Sequence, residues 1–318
     1  MKGISSLERL SDETLSMTPL SREERALGAY LGLAVGDALG ATTEFLMPRE
    51  IKEKYGTHDK IIGGGWLRLN AGQVTDDTEM TLALGKSIIE SQAVISERVS
   101  DAFSDWMRTK PVDIGNTVRR GIIHYRSTGN AIVEENEYDA GNGACMRCLP
   151  IALFCCYSSE ADRVQASRIQ SHTTHNNSLS DAGTEAVLSM IVSSLHGCEK
   201  SHLETLAAAL VSKFSLYRFD KRRIENPSGF IVETLQVVFQ SFFSLDSYEK
   251  ILIDVVNRGG DADTTGAIAG MIAGAYYGPK AIPARWRTKI DPDVISACTN
   301  QASDLLSLGR SKYSTSES

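Results

Sequence analysis

The chain contains 318 residues, of which 42% are hydrophobic and 23% charged, as in ordinary globular proteins, so disordered, collagen-like and coiled-coil classes are excluded. Its 40 acidic and 33 basic residues give a net charge of −7, which argues against a broad nucleic-acid or anionic-membrane surface. Residues 1–25 are rich in charge and lack the apolar core of a secretory signal, so we expect a cytoplasmic protein with reduced thiols.

Helical periodicity recurs along the chain, and no run alternates apolar and polar residues long enough to predict a sheet. The clearest apolar stripes of helical spacing lie at 203–214, 230–242 and 294–305. Because prolines are few and no segment resembles a linker, we predict one compact all-α domain over residues 21–310. We expect residues 1–20 to form a flexible extension and residues 311–318 a frayed tail.

Two segments, residues 28–40 and 266–278, carry glycine at every fourth position. Glycine inside a helix costs about 1 kcal/mol relative to alanine, so four of them in one helix require a reason. At this spacing the glycines share one helix face and form a groove that another helix can approach closely. We therefore predict close helix packing that holds the adjoining polar motifs near the centre of the molecule.

Two acidic motifs, residues 75–78 (Thr-Asp-Asp-Thr) and 261–264 (Asp-Ala-Asp-Thr), each precede an apolar helical run. Either one alone is explained as a helix N-terminus, where threonine and aspartate cap well. Together, four carboxylates would repel and raise one another's pKa unless a cation neutralised them. Their all-oxygen ligand set favours Mg²⁺ or Mn²⁺ over zinc, and two carboxylate pairs suit two ions about 3.5–4 Å apart.

From about residue 25 to residue 308 the chain resembles the ADP-ribosylglycohydrolases, because several separated motifs occur in the order found in that family. These motifs are Gly32–Gly40, Thr75–Thr78, Asp139–Arg147 and Gly259–Gly266. Two further segments, residues 63–69 and 110–117, most resemble family members that act on dinitrogenase reductase. Motifs in a fixed order are far more specific than any one of them alone.

The resemblance implies an orthogonal helical bundle whose central cleft holds two Mn²⁺ or Mg²⁺ ions. The metal ligands that it implies are Thr75, Asp76, Asp77, Asp261, Asp263 and Thr264. It implies three catalytic residues, Glu44 as an acidic gate, Asp113 facing the scissile bond or the target arginine, and Asp77. The substrate-binding residues that it implies are Asp113, Asn116, Asn142, Gly143, Met146 and His175. One departure is Asn177, where close relatives carry a second histidine.

The implied activity is hydrolytic removal of ADP-ribose from an arginine of a target protein, which we expect to be dinitrogenase reductase. Two alternatives stay open, namely a hydrolase of the same fold that cleaves a serine, O-acetyl or poly(ADP-ribose) linkage, and a non-catalytic ADP-ribose-binding protein. Asp113 favours a cationic leaving group, because a carboxylate can form paired hydrogen bonds with a guanidinium. We expect a monomer without a nucleic-acid partner and leave open a regulatory signalling-protein or membrane-complex partner.

Three smaller features have ordinary explanations beside functional ones. The cysteines at 145, 148, 155 and 156 do not have zinc spacing, and we expect buried apolar thiols. The triple glycine at 63–65 suits a turn or hinge as well as a phosphate cradle. The basic run at 221–223 is typical of a solvated face, and a docking edge for a protein partner is the alternative.

Overall fold

The computed structural model describes residues 19–313, which contain fourteen α-helices and two 3₁₀ helices. The α-helices are α1 (Arg22–Gly40), α2 (Pro48–Tyr55), α3 (Asp76–Ser91), α4 (Ser96–Arg108), α5 (Asn116–Thr128), α6 (Leu149–Phe154), α7 (Glu160–Ser171), α8 (Ser178–Leu195), α9 (Lys200–Lys213), α10 (Ile231–Ser244), α11 (Tyr248–Val256), α12 (Ala262–Tyr277), α13 (Ala284–Arg287) and α14 (Pro292–Tyr313). The 3₁₀ helices are Ser215–Tyr217 and Pro279–Ala281. Extended pairing in this part of the chain is limited to two isolated bridges, Gly64–Leu69 and Gly141–Phe230, which confirms the all-α prediction.

Helices α1 and α12 run antiparallel through the core in direct backbone contact. A Cβ atom added at Gly28, Gly32 or Gly36 would collide with a backbone carbonyl oxygen of α12. A Cβ atom added at Gly266 would lie 2.6 Å from the carbonyl oxygen of Gly36. The two glycine faces therefore pack against each other as predicted, and α8, α10, α11 and α14 surround the pair.

This antiparallel pairing brings polar helix ends together. Gly40, the last residue of α1, lies against Ala262, the first residue of α12. Helix α3 begins beside them, because the hydroxyl of its N-cap residue Thr75 donates to Asp37 of α1 at 2.9 Å. The two acidic motifs therefore meet at the N-termini of α3 and α12, next to the C-terminal half of α1.

Helix α1 begins with a capping box formed by Ser21 and Glu24. The Ser21 hydroxyl accepts the backbone N–H of Glu24 at 3.0 Å, and the Glu24 carboxylate accepts the backbone N–H of Ser21 at 2.9 Å. All but the last two positions of the predicted extension, 1–20, lie outside the described residues. Helix α14 continues to Tyr313, so residues 311–313 of the predicted tail are helical and 314–318 lie outside the described residues.

The cysteines at 145, 148, 155 and 156 are buried and free, in agreement with the prediction of apolar thiols. Burial raises the pKa of Cys155 and of Cys156 to about 11, which keeps both thiols protonated. These sulfurs are therefore part of the core packing.

The basic run at 221–223 is exposed in the loop before α10. Arg223 pairs with Asp254 at 2.7 Å and with Glu225 at 3.2 Å, so it also fastens this loop to α11.

Within residues 19–313, no helix combines the length and the apolar character needed to cross a bilayer.

Candidate active site

A cavity of about 700 Å³ opens where the N-termini of α3 and α12 meet the segments 113–118 and 141–146. Every site residue predicted from the sequence lines it except Thr75 and Asp77, which are fully buried. The predicted residues that line the cavity are Glu44, Asp76, Asp113, Asn116, Asn142, Gly143, Met146, His175, Asp261, Asp263 and Thr264. The fold thus brings together side chains that lie up to 220 positions apart in the sequence.

Three carboxylates form the tightest acidic group at the floor of the cavity. One oxygen each from Glu44, Asp261 and Asp263 lies within 4.8 Å of the others, and all three residues are buried. Asn142 fixes one of them, because its amide Nδ2 donates to Asp261 Oδ2 at 2.6 Å and to Thr234 Oγ1 at 2.9 Å. Oxygen donors crowded at this spacing are typical of a site for a hard divalent cation.

Asp77 connects the two acidic motifs. Its Oδ2 accepts from the hydroxyl of Thr264 at 3.3 Å and lies 3.2 Å from that of Thr75, whose proton it shares with Asp37. Its Oδ1 is buried and has no hydrogen-bond partner among residues 19–313. An ionised oxygen left unpaired in the interior is costly unless a cation binds it. The donor set and this orphaned oxygen therefore fit a metal site at the place that the sequence predicts.

Burial raises the pKa of Asp76, Asp77 and Asp263 well above the ordinary aspartate value, and neighbouring carboxylates raise it further. Burial also raises the pKa of Glu44 to about 8, although the hydrogen bond from Trp66 acts in the opposite direction. The protein alone thus disfavours several negative charges here, whereas a bound cation would favour them.

Asp37 is a buried acid that the sequence patterns did not mark as part of the site. Its carboxylate accepts the backbone N–H of Thr75 at 3.1 Å and that of Thr78 at 3.1 Å, and it also accepts both threonine hydroxyls. It thereby caps α3 from another helix, because Thr75 makes no side-chain cap of its own. The sequence feature that could have indicated Asp37 is an isolated acid inside an apolar, glycine-rich helix.

Asp37→Asn is expected to weaken Mn²⁺ binding by roughly 10–100-fold. Loss of a group that hydrogen-bonds to a metal ligand and orients it typically lowers metal affinity by this factor. Asparagine keeps one acceptor oxygen, but its NH₂ group cannot accept, so Thr75 or Thr78 loses its partner and the first turn of α3 loosens. Calorimetric titration with Mn²⁺ measures the effect, with the exposed α14 residue Asp304→Asn as the control. Equal Mn²⁺ affinity in the two variants would contradict this role for Asp37.

The turn after α1 presents Glu44 to the cavity and is joined to the second acidic motif. The backbone N–H of Phe45 donates to the carbonyl of Gly260 at 2.7 Å, and the N–H of Gly260 donates to the carbonyl of Leu46 at 3.1 Å. Phe45 has φ of 60°, a conformation that non-glycine residues adopt only when the surroundings impose it. These two bonds hold the strained turn and join it to the loop before α12. The two joined loops therefore position Glu44 and Asp261 relative to each other.

Two exposed aromatic residues flank Glu44 at the mouth of the cavity. Trp66 Nε1 donates to Glu44 Oε2 at 2.6 Å, and the Trp66 and Phe45 ring centroids are 5.3 Å apart. Phe45 is 62% and Trp66 53% exposed, which is unusual for large apolar side chains. This pair was not predicted, although residues 63–69 carry one of the motifs of the family resemblance. Gly64 pairs with Leu69, and the turn between them, residues 65–68, carries Trp66 to the cavity.

His175 lies beneath the glycine loop at 141–143. A Cβ atom added at Gly141 would lie 3.0 Å from His175 Nε2, and one at Gly143 would lie 2.8 Å from Cε1. Burial, together with the charges of Arg147 and Arg120, lowers the pKa of His175 to about 3, so the ring is neutral. The other histidine of this segment, His172, bonds to Asp181 at 2.9 Å and does not line the cavity.

Comparison with known proteins agrees with this architecture. The family model of the ADP-ribosylglycohydrolases matches residues 18–315. The ADP-ribosyl-[dinitrogen reductase] glycohydrolase of Rhodospirillum rubrum is 45% identical over 92% of this chain and 99% of its own length. The ADP-ribosylarginine hydrolase Tri1 of Pseudomonas putida (strain GB-1) is 31% identical, covering 88% of this chain and 78% of its own.

Among solved structures, one described as an ADP-ribosylglycohydrolase-related protein complex superimposes with a TM-score of 0.78 at 32% identity. The match covers 91% of this chain and 99% of the other. The family match and these relatives each extend over most of the sequence, and the chain therefore belongs to the ADP-ribosylglycohydrolase family.

Proposed function

We propose that this protein hydrolyses the N-glycosidic bond between ADP-ribose and an arginine side chain of a target protein, and that the target is dinitrogenase reductase. The observation that carries the proposal is a single cavity with Glu44, Asp261 and Asp263 at its floor and Asp113 on its wall. The activities for which the relatives from R. rubrum and P. putida are named support the arginine linkage and, for the first, the target.

The leaving group is a guanidinium, and the mouth of the cavity suits its chemistry. Asp113 is half-buried there and carries a carboxylate that can accept two hydrogen bonds from a planar guanidinium. Phe45 and Trp66 offer exposed aromatic faces on which such a cation can stack. A neutral serine or acetyl leaving group would use neither feature, which favours arginine over the other linkages.

Glu44 is the group that we assign to proton transfer at the sugar. Cleavage at C1 of a ribose passes through an oxocarbenium-like state that water then captures, so a nearby group has to accept a proton. Burial raises the pKa of Glu44 and bound cations would lower it, so its ionised carboxylate can accept that proton near neutral pH. The Trp66 indole orients the Glu44 carboxylate, which lines the cavity and can accept the proton of the attacking water.

The cations that we propose are two Mn²⁺ or Mg²⁺ ions held by the six residues implied by the resemblance, with Glu44 beside them. When bound, they would supply positive charge that keeps these carboxylates ionised and that raises the acidity of nearby water. Asn142 and Asp37 orient the ligands from outside, through the bonds to Asp261 and Thr75.

The test is release of free ADP-ribose from dinitrogenase reductase that is ADP-ribosylated on arginine, with Mn²⁺ or Mg²⁺ added to chelator-treated protein. ADP-ribosyl-serine peptide, O-acetyl-ADP-ribose and poly(ADP-ribose) are assayed in parallel. We expect the arginine substrate to be cleaved fastest. Faster cleavage of another linkage would favour the alternative hydrolase, and ADP-ribose binding without turnover would favour a non-catalytic role.

Trp66→Phe should lower kcat by roughly three- to tenfold while leaving KM within about twofold, because one hydrogen bond to Glu44 is lost and the aromatic face remains. Trp66→Leu removes the face as well and should also raise KM for ADP-ribosyl-arginine. Steady-state kinetics of the two variants separates these contributions. A phenylalanine variant with wild-type kcat would show that Trp66 does not assist Glu44.

A further inference from the structure

A buried chain of hydrogen bonds leads from Arg147 to the cavity. Arg147 Nη2 donates to the hydroxyl of Thr174 at 2.7 Å, and that hydroxyl lies 2.8 Å from His175 Nδ1. All three residues are buried. Arg147 and Thr174 do not line the cavity, whereas His175 does. The arrangement therefore connects a buried cation to a cavity residue through one hydroxyl.

The direction of these bonds follows from which groups can donate. A guanidinium has no acceptor, so Thr174 Oγ1 accepts from Arg147. Within residues 19–313, Nδ1 of His175 is the only acceptor in reach of the Thr174 hydroxyl proton. A buried hydroxyl proton without an acceptor is costly, so the proton points to Nδ1. Nδ1 then accepts, and the ring proton of the neutral histidine is on Nε2.

Two further bonds hold this chain in place. Arg147 Nε donates to the side-chain oxygen of Gln170 at 2.9 Å, and Gln170 Nε2 donates to the carbonyl of Ala144 at 3.1 Å. Arg147 also stacks on the Phe103 ring, with its guanidinium carbon 4.4 Å from the centroid. The glycine loop and the segment that ends in His175 are thus fastened to each other through fully buried polar groups.

We propose that Arg147 and Thr174 are positioning residues that hold His175 as a neutral Nε2–H donor for an oxygen of ADP-ribose. Nε2 makes no hydrogen bond with any described residue, and Gly141 and Gly143 leave it open because a side chain at either position would contact the ring. The low pKa of His175 agrees with a ring that stays neutral. The proposal rests on the proposed function, since it takes ADP-ribose as the ligand.

The direct test reads the tautomer of His175 by NMR. Protein with ¹⁵N-labelled histidine is loaded with diamagnetic Mg²⁺, and long-range ¹H–¹⁵N spectra distinguish the protonated from the unprotonated ring nitrogen. His175→Gln assigns the signals among the six histidines. We expect wild type to show the Nε2–H tautomer, Thr174→Ser to keep it, and Thr174→Val to give a mixture of tautomers.

The second readout is affinity. Thr174→Val should raise the Kd for ADP-ribose, and KM for ADP-ribosyl-arginine, by about five- to tenfold, with kcat within about twofold. Thr174→Ser keeps the hydroxyl of the hydrogen-bond chain, whereas Thr174→Val keeps the size of the side chain without the hydroxyl. Wild-type affinity in the serine variant therefore separates the role of the hydroxyl from that of packing. An Nδ1–H tautomer in wild type would overturn the proposal, and that measurement needs no variant to fold.

Two other results would also overturn it. One is a valine variant that keeps the Nε2–H tautomer or wild-type ADP-ribose affinity, and the other is a serine variant that behaves like valine. Failure of the proposed function has a different signature. In that case wild type would show the Nε2–H tautomer and bind ADP-ribose, with the serine and valine effects on the tautomer and on Kd as expected, yet would not hydrolyse ADP-ribosyl-arginine.

Discussion

The Asp261→Ala, Asp263→Ala double variant is expected to lose hydrolysis by at least roughly 10³-fold. Both carboxylates belong to the tight acidic group at the cavity floor, and a catalytic cation contributes several kcal/mol of charge stabilisation. Release of ADP-ribose from ADP-ribosyl-arginine protein in saturating Mn²⁺ measures the loss. Asp304→Ala, on an exposed position of α14, is the control and should keep wild-type activity.

The same double variant should fold normally and should no longer be stabilised by metal. Burial and neighbouring charge raise the pKa of Asp263 in the wild type, so removing both acids relieves repulsion in the metal-free protein. Wild type should gain about 2.7 kcal/mol of unfolding free energy for each bound ion at a Mn²⁺ concentration 100 times Kd. Thermal unfolding with and without Mn²⁺ tests this. A double variant with full activity, or with an undiminished metal-dependent rise in Tm, would exclude these residues as ligands.

Gly36→Ala is expected to cost at least about 3 kcal/mol of unfolding free energy or to prevent folding. The added methyl group would collide with the carbonyl oxygen of Gly266 in a rigid helix backbone, where no side chain can move aside. Urea unfolding at equilibrium measures the change. Any variant that still folds should also lose activity, because separating α1 from α12 moves Asp37 and the acidic motifs apart.

Gly129→Ala serves as a comparison, because it adds a methyl group without a collision. Gly129 has φ of 74°, and no atom lies within 4 Å of the place that an added methyl group would take, so only backbone strain of about 1–2 kcal/mol applies. Gly36 lies in a helix, where alanine is otherwise favoured by about 1 kcal/mol, so a larger loss at Gly36 than at Gly129 is assigned to the close helix contact. Equal destabilisation by both substitutions would show that the α1–α12 contact is more adaptable than its geometry indicates.

The sequence predicted those features that depend on local patterns. Glycine at every fourth position predicted the contact of α1 with α12, and acids directly before apolar runs predicted the two helix N-termini. The family resemblance added the residues of segments 113–116 and 141–146 and His175, all of which the fold brings to one cavity. Their separate catalytic and binding roles stay predictions.

Residues whose role depends on a distant partner were not predicted. Asp37 acts through Thr75 and Thr78, some 40 positions later, and no periodicity shows which helix end a buried acid will cap. The bond from Trp66 to Glu44 likewise depends on how a loop folds back over α1. Glu79, which follows the first acidic motif, accepts the indole N–H of Trp106 at 2.7 Å, outside the cavity.

The glycine spacing on α1 and α12 also limits how the molecule can change shape. Four residues of helix rise about 6 Å, so a slide of that size would re-pair most of the glycines. A slide of that size would, however, pull Asp37 away from Thr75 and separate the start of α12 from the end of α1. Any smaller slide would drive Cβ atoms of one helix into the backbone of the other. The register of the two helices is therefore locked. Any opening or narrowing of the cavity has to come from the segments at its mouth, residues 63–69 and 110–116, moving over a fixed floor.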